Sequence, residues 1–132
     1  MFVKKVLFFD KNSREAEVLV SDGKYDLMCY LFPAESASVS ICCDVGIFGV
    51  LCGEIVRSDR TSFFVRKMPQ YFSYFLTAQV IESEKKVVRI GNIIINIDSP
   101  IPKDIINGEY IDFDLMNLEL NTADDHIGEN TR

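Results

Sequence analysis

The sequence predicts a mainly β protein: a single small β-barrel or β-sandwich of about six to eight strands with at most one short helix. Short segments alternate apolar and polar residues with the period of two that is typical of strands. Turn-forming pairs such as Asp22-Gly23 and Asn107-Gly108 separate these segments. Apolar residues make up 48% of the chain and charged residues 26%, as in an ordinary folded domain. A barrel is favoured, because a chain with so few helices has little else to cover sheet edges.

The first quarter of the chain is predicted to form a three-stranded meander. Residues 2–9 are rich in Val, Leu and Phe, residues 15–20 alternate with a period of two, and residues 25–32 form a third strand-like run. The Asp22-Gly23 pair between the second and third runs favours a tight hairpin. We therefore expect antiparallel strands throughout residues 2–32.

The middle of the chain is apolar and rich in glycine. Residues 39–56 contain Gly46, Gly49 and Gly53, which favours short buried strands, since a glycine in a helix interior costs about 1 kcal/mol. Residues 57–60 are predicted to form a turn, and residues 61–67 another strand.

Residues 68–76 are the one credible helix. Pro69 suits the first helical position, and one helical face would carry the apolar residues Phe72, Phe75, Leu76 and Val80. The same residues are also compatible with a strand that runs to residue 81, and both interpretations remain open.

The C-terminal part is predicted to contain two longer β segments. In residues 87–97 the apolar residues change phase, which predicts a bulge at Gly91-Asn92. Asn107-Gly108 turns the chain into a strand over residues 109–120, in which the apolar phase changes again near Met116. We expect one β domain over residues 1–120 and a disordered acidic tail over residues 121–132.

Negative charge is concentrated at the C-terminal end. The last 35 residues hold nine acids against Lys103 and Arg132, a formal charge of −7, whereas the whole chain carries −6. The acids are Asp98, Asp104, Glu109, Asp112, Asp114, Glu119, Asp124, Asp125 and Glu129. Such asymmetry indicates something about partners rather than about the fold.

The residues give little support to catalysis, and we expect no catalytic residue. The only histidine, His126, lies in the predicted tail, which disfavours triads that need a positioned imidazole. Cys52 follows apolar neighbours that raise the pKa of a thiol rather than lower it. Asp112 and Asp114 would lie about 6.5 to 7 Å apart on one face of a strand. That spacing suits an inverting glycosidase but also occurs on any solvated strand.

No metal, cofactor or membrane span is expected. Cys42 and Cys43 would project to opposite faces of a strand, and the acids lack the spacing of a calcium loop. The apolar run before Asp10 is four residues long, shorter than the hydrophobic region of a signal peptide. Four cysteines without such a signal favour a reducing compartment, so the sequence predicts a cytoplasmic protein.

Two surfaces are candidates for binding. The first is an acidic and aromatic stripe that would attract a basic protein, formed by Asp104, Glu109, Tyr110, Asp112 and Asp114. The second would bind single-stranded nucleic acid on an OB-like barrel, through Arg57, Arg60, Arg66 and Lys67 beside Phe63, Phe64 and Tyr71. Four positive charges in a chain of pI about 4.7 make a poor phosphate site, which favours the first surface.

A resemblance supports the same choice. The segment Ile101-Pro-Lys-Asp-Ile-Ile-Asn-Gly-Glu-Tyr-Ile-Asp-Phe-Asp-Leu, about a tenth of the chain, resembles the closing turn and strand of small acidic β-domains in bacteria. Some of these are immunity proteins of polymorphic or contact-dependent toxin systems. The resemblance implies a cytoplasmic, non-enzymatic inhibitor that occludes the active site of a toxin, often a basic nuclease.

Overall fold

The computed structural model describes residues 1–9, 12, 14–32, 34 and 46–120. These residues form ten strands and no helix, which confirms the mainly β prediction and exceeds the predicted number of strands. The strands are β1 (Phe2–Phe8), β2 (Ala16–Ser21), β3 (Asp26–Leu31), β4 (Ile47–Cys52), β5 (Val56–Arg57), β6 (Phe64–Lys67), β7 (Tyr74–Glu82), β8 (Val87–Ile90), β9 (Ile93–Ile97) and β10 (Tyr110–Leu120).

Five strands close into a barrel, as the sequence favoured. Their order around the barrel is β10, β4, β9, β8 and β7, and the pairing of β7 with β10 closes it. The β4–β9 pair is parallel, and the other four pairs are antiparallel. Alternation fills the interior with apolar side chains from every strand, among them Ile47, Leu76, Val88, Ile95 and Phe113.

The predicted N-terminal meander is confirmed and extends the barrel as a flap of three strands. β1, β2 and β3 pair antiparallel in sequence order, and β3 joins β10 in parallel at its last two residues. The Asp22-Gly23 turn forms as expected, with Gly23 at φ +97°.

The predicted bulge at Gly91-Asn92 is wrong, because these two residues form the tight turn of a hairpin. Ile90 pairs with Ile93 across the turn. The turn is held from a distant part of the chain, since the Asn92 backbone N–H donates to Asp22 Oδ2 at 2.8 Å.

The helical interpretation of residues 68–76 is also wrong: the strand alternative is correct from Tyr74 onward, and residues 68–73 form a turn. A hydrogen bond from Met68 N–H to the Ser73 carbonyl (2.9 Å) closes this turn, and β7 begins at the next residue, Tyr74. β7 hydrogen-bonds along both edges, with β10 on one side and β6 and β8 on the other. Ladder bonds on both sides outweigh an ambiguous helical pattern.

The glycine-rich middle forms short strands where it is described. Gly49 lies inside β4, and Gly53 precedes the two-residue β5. The strands expected within residues 39–45 and the tail expected over residues 121–132 lie outside the described residues.

Candidate protein-binding face

β10 carries three of the predicted site residues, Tyr110, Asp112 and Asp114, and at 11 residues it is the longest strand that the structure describes. Alternation buries Ile111, Phe113 and Leu115 and directs Tyr110, Asp112 and Asp114 away from the core. The phase changes after Met116, as predicted, so that Leu118 and Leu120 are buried while Asn117 and Glu119 are half-buried on the outer side.

Asp104 and Glu109 form a separate group around Arg57. Arg57 Nε donates to Glu109 Oε2 at 2.7 Å, and its Nη2 lies 3.7 Å from Asp104 Oδ2. The hydrogen bond from Arg57 lowers the pKa of Glu109, and the Ile106 backbone N–H adds to this effect. Asp104 lies in a turn and Glu109 just before β10. The five predicted residues therefore form two groups, one around Arg57 and one on the outer side of β10.

Asp112 is engaged by a small polar network. The hydroxyl of Thr77, which is buried, donates to Asp112 Oδ1 at 2.6 Å, and Arg60 Nη1 donates to Thr77 Oγ1 at 3.3 Å. Arg60 also lies 3.8 Å from Asp112 Oδ1 as an ion pair. Asp112 is thus held by Thr77 of β7 and by Arg60 of the loop before β6, and the Arg60 guanidinium partly compensates its charge.

Tyr110 packs into an aromatic group. Its ring lies 5.6 Å from that of Phe63, which in turn lies 5.7 Å from Tyr25 and 5.4 Å from the Arg89 guanidinium. Tyr110 is half-buried by these contacts. A partner would meet only part of the ring, not a projecting anchor.

Asp114 differs from the other acids of the row. It is exposed, its backbone carbonyl accepts from Gly53 N–H at 2.8 Å, and its carboxylate lies over the Cα of Gly53. Within the described ranges its carboxylate has neither an ion pair nor a hydrogen bond. Asp114 is therefore the member of the predicted stripe whose charge is most available to a partner.

Cys52 lies beside these acids and is a poor nucleophile. Its backbone N–H donates to Asp98 Oδ1 at 3.1 Å. Burial, followed by the charges of Asp98 and Asp114, raises the pKa of the Cys52 thiol to about 11. The thiol stays protonated at neutral pH, as its apolar neighbours in the sequence predict.

The predicted basic surface does not form a separate face. Arg60 lies over the Phe64 ring (4.2 Å) and Arg66 over the Phe75 ring (5.1 Å). Across the sheet, Asp112 of β10 pairs with Thr77 of β7, which pairs with Phe64 of β6. Asp114 likewise pairs with Phe75, which pairs with Arg66. Lys67 donates to two carbonyls of the turn at residues 68–70. Arg57 donates to Glu109, away from this face. Asp112 and Asp114 of the first surface therefore share one sheet face with Arg60 and Arg66 of the second, so that acids and arginines lie side by side there.

Sequence reasoning missed an aromatic cleft at the other end of β10. Four rings from three separate segments, Phe9, Tyr30, Tyr71 and Phe72, line a cleft of about 310 Å³ together with Asn117. Each residue alone fits a strand or turn, and the pattern of the chain holds no signal that links positions 9, 30 and 71. The topology alone brings them together.

Tyr30 interacts with acidic side chains near this cleft. Its hydroxyl donates to Glu15 Oε1 at 2.7 Å. Burial, and then the bond to Glu15, raises the pKa of Tyr30 to about 12. Tyr30 therefore remains a neutral hydrogen-bond donor at physiological pH.

Metal and membrane features are not found in the described part of the chain. No group of three or more His, Cys, Asp or Glu side chains in these residues is placed to hold a metal ion. None of the described segments is a helix long and apolar enough to span a bilayer. His126 lies outside the described residues.

Comparisons with family models, with curated proteins and with solved structures return no match to the chain.

Proposed function

We propose that this protein is a non-enzymatic binding protein that neutralises a basic protein partner, in its most specific form an immunity protein that inhibits a bacterial toxin. One observation carries the proposal. The C-terminal half of β10 presents Asp114, Met116 and Glu119 on its outer side, and we call these three residues the acidic strip. Met116 is 60% exposed, and neither carboxylate of the strip has an ion pair among the described residues.

The strip supports binding because it combines uncompensated charge with exposed apolar surface. Arg57 and Arg60 offset Asp104, Glu109 and Asp112 in the first half of the strand and nearby. Asp114 and Glu119 have no ion pair among the described residues, so their carboxylates can steer a cationic partner, while Met116 supplies a flexible apolar contact. The sequence predicted a contact region within residues 104–114. The proposed contact region is instead residues 114–119, in the second half of β10.

The chemistry of a basic partner supports the proposed inhibitor role. A nuclease must present cations to the phosphate backbone of its substrate. A rigid strand that offers carboxylates to those cations competes with nucleic acid for the same surface. The acid-rich C-terminal end of the chain supports this role.

The nucleic-acid alternative has weaker support. Arg60 and Arg66 are stacked on rings of the same chain, and carboxylates stand next to them in the same rows. A phosphate backbone would meet alternating charges there rather than a continuous positive groove.

Two double variants test the proposal in the full chain. The strip variant carries Asp114→Lys and Met116→Lys. The matched turn variant carries Glu84→Lys and Ile106→Lys, which changes one exposed acid and one exposed apolar residue near the β7–β8 turn.

The experiment is capture from a lysate of the source organism at low and high salt, followed by an activity assay of the captured protein. We expect the wild type and the turn variant to capture one basic protein at low salt and to abolish its activity, and the strip variant to fail at both. Capture of nucleic acid alone, or equal capture by the strip variant, contradicts the proposal.

A further inference from the structure

The aromatic cleft is built as a closed circuit of rings. Centroids lie 6.4 Å apart for Phe9 and Tyr30, 5.5 Å for Tyr30 and Phe72, 5.4 Å for Phe72 and Tyr71, and 6.0 Å for Tyr71 and Phe9. Each ring thus contacts two others, and we call these four residues the aromatic cage. Phe72 is 5% exposed, whereas Phe9 and Tyr71 are 39% and 70% exposed, so the cage has a buried wall and an open mouth.

Three carboxylates lie next to residues that line the cage. Tyr30 stands between Glu17 and Glu119 in one cross-strand row, and its hydroxyl is bound to Glu15. Asn117, which completes the wall, donates to Glu119 Oε2 at 2.6 Å. Glu119 Oε1 has no hydrogen-bond partner within the described ranges and remains able to accept from a ligand.

A nearby cation does not fill the cage. Lys67 interacts electrostatically with Glu17. Its ammonium nitrogen, however, donates to the carbonyls of Met68 and Gln70, both at 2.6 Å, which holds it in the turn.

This combination of rings and acids selects a cation. Ring faces are electron-rich and attract positive charge, most strongly where water is excluded. An anion would be repelled by the carboxylates, and a neutral apolar ligand would desolvate them without compensation. A volume of about 310 Å³ lies at the lower end of small-ligand pockets and suits one side chain.

We propose that the aromatic cage binds the guanidinium group of an arginine side chain presented by the basic protein partner, with Glu119 as the carboxylate that receives it. The identity of the partner rests on the proposed function, whereas the binding of the cation does not. A guanidinium is planar and weakly hydrated, so it enters an aromatic cleft more readily than an ammonium and bonds a carboxylate through a fork of N–H groups.

The position of the cage supports a protein as the source of the arginine. The Ser73 hydroxyl, one residue after Phe72, donates to the Met116 carbonyl at 2.8 Å. The cage is therefore continuous with the acidic strip, and one basic surface can contact both.

The test is an NMR titration of the full chain with three small probes: N-acetylarginine amide, its neutral citrulline analogue and N-acetyllysine amide. We expect arginine to shift the amide signals of Tyr30, Asn117 and Glu119, with citrulline and lysine binding roughly tenfold more weakly. Equal binding of citrulline shows that charge is not recognised and overturns the proposal. Equal or tighter binding of lysine overturns the assignment to arginine.

Matched variants locate the probe. Tyr71→Ala removes an exposed wall without opening the core, and Glu119→Gln removes the receiving charge; each should weaken arginine binding roughly tenfold. Phe2→Ala, at the opposite end of β1 and 49% exposed, should leave it unchanged. Unchanged binding by Tyr71→Ala, in a variant whose spectrum shows an intact fold, overturns the cage as the site.

The two proposals fail separately. Capture of the partner that depends on Asp114 and Met116, together with no arginine binding in the cage, would overturn the inference about the cage and leave the proposed function intact. Arginine binding in the cage without a captured basic protein would support the inference about the cage and overturn the proposed function.

Discussion

At the scale of single residues, two glycines near β10 differ in what a methyl group would meet. A Cβ at Gly49 would lie 2.9 Å from Leu115 Cδ2 and 3.3 Å from Ile97 Cγ2, inside the packed barrel. A Cβ at Gly53 would meet the carboxylate of Asp114, which is exposed and can move. Packing therefore tolerates only the second substitution.

We predict that Gly49→Ala lowers the free energy of unfolding by about 1–3 kcal/mol. Gly53→Ala, the matched control, should change it by about 0.5 kcal/mol or less. Urea unfolding of both variants measures the difference. Equal losses would contradict the described closeness of Gly49 to Leu115.

The carboxylate of Glu109 makes part of the stability depend on pH. Its pKa is lowered in the folded state from 4.5, chiefly by Arg57, so its contribution is present above 4.5 and is lost as the pH falls through the lower folded value. We predict that Glu109→Gln reduces the acid loss of stability, measured by urea midpoints between neutral pH and about pH 2. Arg57→Met should bring the Glu109 pKa back toward 4.5 by NMR, and an unchanged pKa would refute the pairing.

The individual acids of β10 were visible in the sequence, but their partners were not. Period two placed Tyr110, Asp112 and Asp114 on one face. The bond between Arg57 and Glu109 spans 52 residues, and nothing local in the sequence encodes such a contact. Charge compensation therefore appeared only with the fold.

At the scale of elements, Tyr74 joins β7 to the meander. It is 4% exposed, and its hydroxyl oxygen accepts a hydrogen bond from Met28 N–H in β3 at 2.7 Å. Burial raises the pKa of Tyr74 to about 12 from 10. The folded state thus keeps a proton that the unfolded state loses, and stability falls as the pH rises from 10 to 12.

We predict that Tyr74→Phe lowers the free energy of unfolding by about 1–3 kcal/mol at neutral pH, because Met28 N–H loses its acceptor. The variant should also show a smaller alkaline loss of stability than the wild type. Chemical unfolding at neutral and alkaline pH measures both effects. An unchanged alkaline limb would exclude Tyr74 as its source.

β1 is an edge strand, and its lysines oppose pairing with the edge of another molecule. It ends the described sheet and exposes apolar side chains such as Leu7, 53% exposed, while Lys4 and Lys5 break the apolar run. We predict that Lys5→Val promotes concentration-dependent association, measured by analytical ultracentrifugation. Lys103→Val, on a loop, is the control, and a Lys5→Val variant that sediments like this control would refute the edge role.

Elements with strong local signals were predictable, and ambiguous ones were decided by distant contacts. The meander and β10 carry clear period-two patterns and turn pairs. A bulge and a two-residue turn shift the apolar phase alike, and only the antiparallel pairing of β8 with β9 distinguishes the hairpin at Gly91-Asn92 from a bulge. β7 was settled by its ladder bonds on both edges.

At the scale of the whole molecule, barrel closure fixes the position of β10. β10 pairs with β3, β4, β5 and β7, so it is held on both edges and presents its outer side chains rigidly. Arg57 of β5 and Arg60 of the following loop pair with acids in and just before its first half. The acidic strip lies next to the aromatic cage, and the proposed function assigns both to one surface that would contact a basic partner.

The central claim is tested most directly by titrating the purified basic partner with the wild-type chain, the strip variant and the turn variant. We predict that the strip variant binds at least about tenfold more weakly, with the turn variant close to the wild type, and that added salt weakens the wild-type complex. Equal affinities for all three chains would contradict binding through the outer face of β10.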